Sequence, residues 1–390
     1  MIKYKILLVN DFLVGGGTET VFNKQFELLF NHHIIEKFYA HETHKLLKNP
    51  ISYIFSIHFF KIFFLKLQDF KPDIIHIHNY YHVISPSILY AIKKYRKNNL
   101  NLKVIYTAHD FHLLCPNSGF TYYEKKTNEL KNFTSIPTIK EWIFKSLDYR
   151  GFIFSTLKKI QFYFNYSLLK LTNEIDVITA PSIFLSELLQ KKFANKKVML
   201  LRNPIDLFEY INTPPIITET LSIIYLGRLS HEKGLNIVLN YLVNTKINFS
   251  FKILGEGPDL DKILPYLSDQ RIKYLGFQNQ ELVKKYLQES HVLILPSIWY
   301  ENAPMVLLEA LQANIRILAT NHGGIKELAK LCGGSYLYEP NNEKSFLLSL
   351  NRCHDDVLNG RIILDRNKNM LKNIFSLDTY KLELYKCYNC

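Results

Sequence analysis

Residues 222–234 read SIIYLGRLSHEKG. Ser222 to Leu226 form an apolar run of strand length that ends at Gly227, and helical periodicity resumes beyond Gly234. A strand without polar alternation is buried on both faces, which is the condition of a parallel sheet covered by helices. The same unit recurs along the chain. Lys5–Val9, Ile74–His78, Val104–Ala108 and Val177–Ala180 precede it, and Phe249–Leu254, Ile272–Leu275, Val292–Leu295 and Ile315–Ala319 follow it, each leading into an amphipathic stretch. This alternation predicts an α/β protein with two parallel sheets.

The chain has 390 residues, 47% of them apolar, with 15 Gly and 14 Pro, which suits two ordinary domains and excludes fibrous or disordered classes. The break is expected near Arg202-Asn203-Pro204-Ile205-Asp206 and the Thr213-Pro214-Pro215 turn, where prolines halt regular pairing. Residues 1–204 and 205–372 are then the two domains. A ligand cleft is expected between them, because strand carboxyl ends and helix amino ends converge there.

Charge separates the halves. Lys plus Arg total 48 against 35 Asp plus Glu, yet residues 1–200 hold 27 basic and 15 acidic residues and residues 201–390 hold 21 and 20. The excess fits an anionic membrane surface, a phosphorylated lipid or nucleic acid. Two stretches of the first half are also aromatic, Ile51–Lys71 and Lys140–Lys170, and the second carries six Lys and Arg against two acids at helical spacings. That composition suits a lipid headgroup region; core helices with basic outer faces are the plainer alternative. No secretory signal is read at Met1–Val9, and Ile74–Ile92 is too polar for a transmembrane span. The protein is expected to be soluble or peripheral. Five scattered cysteines, Cys115, Cys332, Cys353, Cys387 and Cys390, give no disulfide framework, and the terminal C-x-x-C has no second pair to make a metal site.

Four segments could carry chemistry. Gly15-Gly16-Gly17-Thr18-Glu19 joins the first strand to a helix and could offer backbone amides to an anion, although Thr20 stands where a dinucleotide fingerprint needs glycine. Arg228 and Lys233 lie five residues apart after a strand, a fork of donors and a point charge suited to a diphosphate. In Leu295–Ala310, Glu301 precedes a helix expected to begin near Pro304 and Glu309 lies inside it, so both carboxylates can accept sugar hydroxyls while the amides of Asn302, Ala303, Pro304 and Met305 would meet an anion as far as they carry N–H. His109 follows the strand Val104–Ala108. His76 and His78 alternate on a strand but lack a third metal ligand. Asp259-x-Asp261 is read as acids at a helix amino terminus.

In order, the glycine loop, TAHDFHLLCPN, APS at Ala180–Ser182, RNPID, YLGRLSHEKG, GEGP, YLGF, PSIWYENAPMVLLEA and Gly323-Gly324-x-x-Glu327 resemble the retaining GT-B-fold glycosyltransferases of family four. The combination of G-R-x(4)-K-G with E-x(7)-E is the specific part. The resemblance implies an α/β GT-B architecture of two Rossmann-like domains facing a central cleft, with residues 373–390 returning as a helix to the first domain. It implies Arg228 and Lys233 on the donor diphosphate with Gly16 and Gly17, Glu301 on donor-sugar hydroxyls, Glu309 on the ribose, and His109 on the sugar. It implies no metal and no cofactor, since protein cations meet the leaving phosphate, and no enzyme nucleophile, since front-face attack delivers the acceptor proton to that phosphate. Where the family shows a small G-x-P turn, this chain has Asn314-Ile315-Arg316.

The activity so implied is transfer of a hexose-type sugar from a UDP- or GDP-sugar to a lipid-linked or growing saccharide of O-antigen, capsule or exopolysaccharide. The expected place is the cytoplasmic face of the membrane, reached through the basic first half, with no nucleic acid partner. A GT-B phosphorylase or nucleotide-sugar epimerase would instead form product with phosphate or without an acceptor. A non-enzymatic binder of polyanions would show a steep salt dependence and no affinity for nucleotide sugars.

Overall fold

A computed structural model describes residues 3–40, 49–207, 219–331, 333–360 and 366–389. The turn expected at Thr213-Pro214-Pro215, together with Cys332 and Cys390, lies outside the described residues. The chain divides into two units, Met1–Pro204 with Leu377–Cys390, and Ile205–Ser376. The second unit therefore runs four residues beyond the expected boundary at 372.

The first unit contains β1 (Lys5–Val9), α1 (Gly17–Phe30), β2 (Ile34–Phe38), α2 (Pro50–Ile54), α3 (Ile57–Phe70), β3 (Ile74–Ile77), α4 (Ser87–Arg96) and β4 (Lys103–Thr107). It continues through a small hairpin, β5 (Thr121–Tyr123) and β6 (Leu130–Asn132), then α5 (Ile139–Ile143), α6 (Phe152–Phe162), β7 (Val177–Ala180), α7 (Ile183–Lys192) and β8 (Lys197–Leu200). The second unit contains β9 (Leu221–Leu226), α8 (Leu235–Val243), β10 (Phe249–Leu254), α9 (Leu260–Ile263), β11 (Ile272–Gly276), α10 (Gln280–Gln288), β12 (Val292–Leu295) and α11 (Met305–Gln312). After these come β13 (Arg316–Thr320), α12 (Gly323–Leu331), β14 (Ser335–Tyr338), α13 (Glu343–Leu358) and α14 (Arg366–Phe375). The last helix, α15 (Leu377–Tyr388), belongs to the first unit.

Each unit has one six-stranded parallel sheet, ordered β2-β1-β3-β4-β7-β8 and β11-β10-β9-β12-β13-β14. In both, strand order reverses beside the first strand of the unit, at β1/β3 and at β9/β12. Connections on the two sides of such a reversal leave toward opposite faces, so a crevice opens past the strand carboxyl ends. The register brings those ends level: Val9 pairs with Ile77, and Ile77 with Tyr106.

Along β9, Leu221, Ile223 and Tyr225 enter one core and Ile224 and Leu226 the other, which is why its apolar run has no polar break. In the first unit, Ile6 and Leu8 of β1 share a core with Phe22 and Leu29 of α1 and with Tyr380, Leu384 and Tyr388 of α15. Helix α3 buries Phe59, Phe63, Leu67 and Phe70, one face at helical spacing, so much of the aromatic content of Ile51–Lys71 is core. The segment 140–170 is different. Phe144, Phe152 and Ile153 are 73%, 81% and 71% exposed. Strands β2, β8 and β14, which the apolar runs did not reveal, are all sheet edges and only partly buried.

Candidate functional site

The loop after β9 and the loop after β12 meet at the reversal of the second sheet. Ile298 N–H donates to Glu232 O at 2.9 Å, joining the two loops by backbone. Gly234, at φ +68°, permits this contact, because a Cβ there would lie 2.2 Å from Pro296 O. The loop after β13 closes the third side. Gly324 N–H donates to Glu301 O at 2.7 Å, and a Cβ on Gly324 would lie 1.6 Å from Asn302 O.

Within this frame Glu301 Oε1 accepts three hydrogen bonds: from Lys233 Nζ at 2.6 Å, Ser297 Oγ at 2.8 Å and Trp299 Nε1 at 2.9 Å. Burial pushes the Glu301 carboxyl toward protonation, but the Lys233 charge and these donors outweigh it and hold it below its ordinary range. Glu301 Oε2 accepts no bond among the described residues. The Lys233 ammonium also lies 5.4 Å from the centre of the Trp299 ring. His322 reaches Ser297 O from Nε2 at 2.8 Å and touches Tyr300; burial lowers its pKa. The result is an ionised carboxylate with one oxygen saturated and one open, beside a cation and an indole.

The other residues singled out in the second half have simpler surroundings. Arg228 is exposed, and its carbonyl accepts from the Tyr225 hydroxyl at 2.8 Å. The Lys233 ammonium is paired with Glu301 at 2.6 Å. Asn302 and Pro304 are buried, Ala303 and Met305 half-buried, and α11 begins at Met305, leaving Glu301 in the loop and half-buried Glu309 on the helix. Asn314 adopts φ +57°, the left-handed turn that its side chain tolerates. Asp259 precedes α9 and pairs with Lys262 at 2.9 Å. Among the described residues no group of three or more His, Cys, Asp or Glu could hold a metal ion.

In the first unit Gly16 N–H donates to Glu19 Oε2 at 2.8 Å, so the helix caps itself with its own carboxylate. Gly17 is exposed at the first position of α1. At the carboxyl ends of β3 and β4 three imidazoles stack, from His76 within β3 to His78 just past it at 5.0 Å and on to His109 past β4 at 5.1 Å, both at 17°. His78 Nδ1 lies 2.8 Å from His109 Nε2. Burial lowers all three, His76 to about 3 and His109 to about 4, so they are neutral near pH 7.

A cavity of about 360 Å³ lies apart from the stack, lined among others by Tyr53, Tyr81, His82, Arg150, Phe154 and Lys158. Buried Asp148 positions both cations, taking Arg150 through Nε and Nη2 at 2.8 Å each and Lys158 at 3.0 Å. Sequence reasoning missed Ser297 and Trp299 as partners of Glu301, Gln25 and the α15 tyrosines behind the histidines, and this cavity. Trp299, two residues before Glu301, was the one with a local signal. Cys115, Cys353 and Cys387 are buried, and burial raises the pKa of the first two to about 12.

The family model for glycosyl transferases group 1 matches residues 208–368, and that for glycosyltransferase family 4 matches residues 31–208. The chain is similar to the lipopolysaccharide 1,6-galactosyltransferase of Escherichia coli (strain K12), with 28% identity over 175 residues, 43% of this chain and 48% of that protein. It is similar also to an Escherichia coli UDP-Gal:alpha-D-GlcNAc-diphosphoundecaprenol alpha-1,3-galactosyltransferase, with 31% identity over 148 residues, 36% of each. The matches thus span about half or less of these curated relatives. Among solved structures, Anabaena Alr3699/HepE in complex with UDP has the same fold, with a TM-score of 0.65 over 100% of both chains at 16% identity.

Proposed function

Because this chain belongs to the GT-B-fold glycosyltransferases of group 1 and family 4, we propose that it moves a hexose-type sugar from a UDP-sugar to a lipid-linked or growing saccharide in bacterial surface polysaccharide synthesis, with retention and without a metal. The observation that carries this reading is Glu301, held ionised with Oε1 saturated and Oε2 open. An acceptor-only oxygen in a nearly buried position is the group that sugar hydroxyls satisfy. UDP is favoured because the relative of that name uses UDP-Gal and the solved neighbour was captured with UDP.

As the glycosidic bond lengthens, negative charge accumulates on the leaving diphosphate. Exposed Arg228 supplies a forked cation to it, and Lys233, anchored on Glu301, adds a second positive charge; cations placed before the reaction are worth most where charge develops. The amides entering α11 add to this, Glu309 takes the ribose, and His109 of the first unit takes the sugar. The leaving oxygen accepts the proton of the incoming hydroxyl, so no enzyme nucleophile is required.

The acceptor belongs to the first unit. Its cavity offers aromatic walls with Arg150 and Lys158, and the exposed Phe144, Phe152 and Ile153 sit among basic residues suited to an anionic bilayer surface. No helix among the described residues is long and apolar enough to cross a membrane; we place the enzyme peripherally on the cytoplasmic face.

The test is calorimetry and turnover with UDP-, GDP- and ADP-sugars, with and without EDTA. UDP-sugars are expected to bind and to turn over equally in EDTA. Arg228→Ala should weaken nucleotide binding, and Glu301→Gln should lower kcat by about 10²-fold, as loss of a transition-state contact does. Unimpaired turnover in both variants would refute the site.

A further inference from the structure

Behind His109 lies a hydrogen-bonded line that ends on the last helix of the chain. Gln25 of α1 sits at its centre. Its Oε1 accepts from the Tyr380 hydroxyl at 2.8 Å and lies 3.0 Å from His78 Nε2; its Nε2 lies 2.8 Å from His76 Nδ1 and 2.9 Å from the Tyr388 hydroxyl. The Tyr388 hydroxyl is also 3.2 Å from His76 Nδ1. His76 Nε2 continues to Thr107 Oγ1 at 2.7 Å, which meets Thr179 Oγ1 at 2.7 Å. Gln25 is fully buried, as are His76, His78 and Thr179.

We propose that Gln25 is a positioning residue that fixes the ring tautomer of His109 through His78. An amide oxygen only accepts, so the hydrogen between Gln25 Oε1 and His78 Nε2 belongs to the histidine. A neutral imidazole carries one hydrogen, which leaves His78 Nδ1 bare. His109 Nε2 must then supply the hydrogen of the 2.8 Å contact, and His109 Nδ1 becomes the accepting nitrogen of its ring. In the other direction the Gln25 amide donates to His76 Nδ1, so His76 is also protonated at Nε2 and donates to Thr107. One amide thus aligns three rings. Turning it over would reverse every proton in the line and convert His109 Nδ1 from acceptor to donor.

The line explains why two histidines lie buried beside the residue expected to meet the sugar without forming a metal site. Its use in turnover rests on the reading of His109 as a sugar-facing group; the tautomer itself does not. The tyrosines that bracket Gln25 come from α15, so the last twelve residues of the described helix order a ring that follows β4.

The experiment is ¹⁵N NMR of histidine-labelled full-length protein at pH 7.5, where the two nitrogens of a neutral ring resolve and report its tautomer. His76, His78 and His109 should all show Nε2–H. Gln25→Glu places acceptors on both sides, so His78 and His109 should keep Nε2–H while His76 switches to Nδ1–H. Gln25→Leu breaks the line and should leave His109 a mixture of tautomers, with kcat reduced about tenfold or more, the direction known for a histidine in the wrong tautomer, and largely restored in Gln25→Glu. The thermal transition of the first unit, which contains Gln25 and the three histidines, checks that each variant is folded. Nδ1–H on His109 in the native protein, or unchanged tautomers in Gln25→Leu, would overturn the proposal. Full activity in His109→Ala would overturn its role in turnover while leaving the NMR assignment standing, which separates failure of the line from failure of the sugar-facing reading.

Discussion

Glu301 and the histidine stack show opposite answers to the same problem of burying a titratable group. Glu301 stays charged because Lys233 and two neutral donors compensate what burial removes; the histidines stay neutral because burial disfavours the charged ring and the ring nitrogens of His76 and His78 meet neutral partners. The difference has a pH consequence. A histidine whose folded pKa is depressed below 6.5 takes up its proton in the unfolded chain first, so the folded first unit is fully stabilised above about pH 6.5 and loses stability as pH falls toward about 4, the value for His109. Thermal unfolding between pH 7.5 and 4 should therefore show falling stability, reduced in slope when His76 is replaced by Gln. A flat profile over that window would show that the stack is not neutral and buried in solution. That Glu301, Arg228, Lys233 and His109 lie in segments following strands was legible in the sequence, because each comes after a short apolar run. Their partners were not: Ser297 and Trp299 share the loop of Glu301 but nothing in the sequence aims them at its carboxylate, and Gln25 meets the histidines only when α1 packs on the sheet.

At the level of elements, α15 and α6 bear the clearest tests. Helix α15 is held to the first sheet by Tyr380, Leu384 and Tyr388, all buried. Leu384→Ala removes a fully buried side chain and should cost about 2–5 kcal/mol of first-unit stability, read by denaturant unfolding; a loss under about 0.5 kcal/mol would mean that the helix does not dock as described. On α6, Phe152 and Ile153 are largely exposed. Replacing both by Ser should abolish co-sedimentation with anionic vesicles while leaving UDP binding intact, and wild-type binding should weaken as salt rises. Binding unaffected by the double substitution would assign those residues another purpose. Central strands were readable because burial on both faces forces an unbroken apolar run. The edge strands β2, β8 and β14 were not, because a half-exposed strand admits residues such as Glu36, Lys37 and Lys197.

For the whole molecule, two units with separate cores imply two unfolding transitions that ligands move separately. A UDP-sugar at one hundred times its Kd should stabilise the second unit by about 2.7 kcal/mol, visible in calorimetry as an upward shift of one transition, the one that persists when Leu384→Ala lowers the other. If the nucleotide shifts only the transition that Leu384→Ala lowers, the donor belongs to the first unit and the assignment of Arg228 and Glu301 fails.

The sequence alone determined the α/β class, the parallel sheets, the boundary near Pro204 and the family, because all of these are written in local periodicity and in motifs whose spacing is fixed along the chain. Only the tertiary structure decided that Glu301 keeps one oxygen open while Lys233 closes the other, and that Gln25 and two tyrosines some 355 and 363 residues further along align the imidazoles behind His109. These are contacts between residues far apart in the chain. They follow from which strand neighbours which in the sheet, and pairing order is a property of the packed whole that no window of sequence contains.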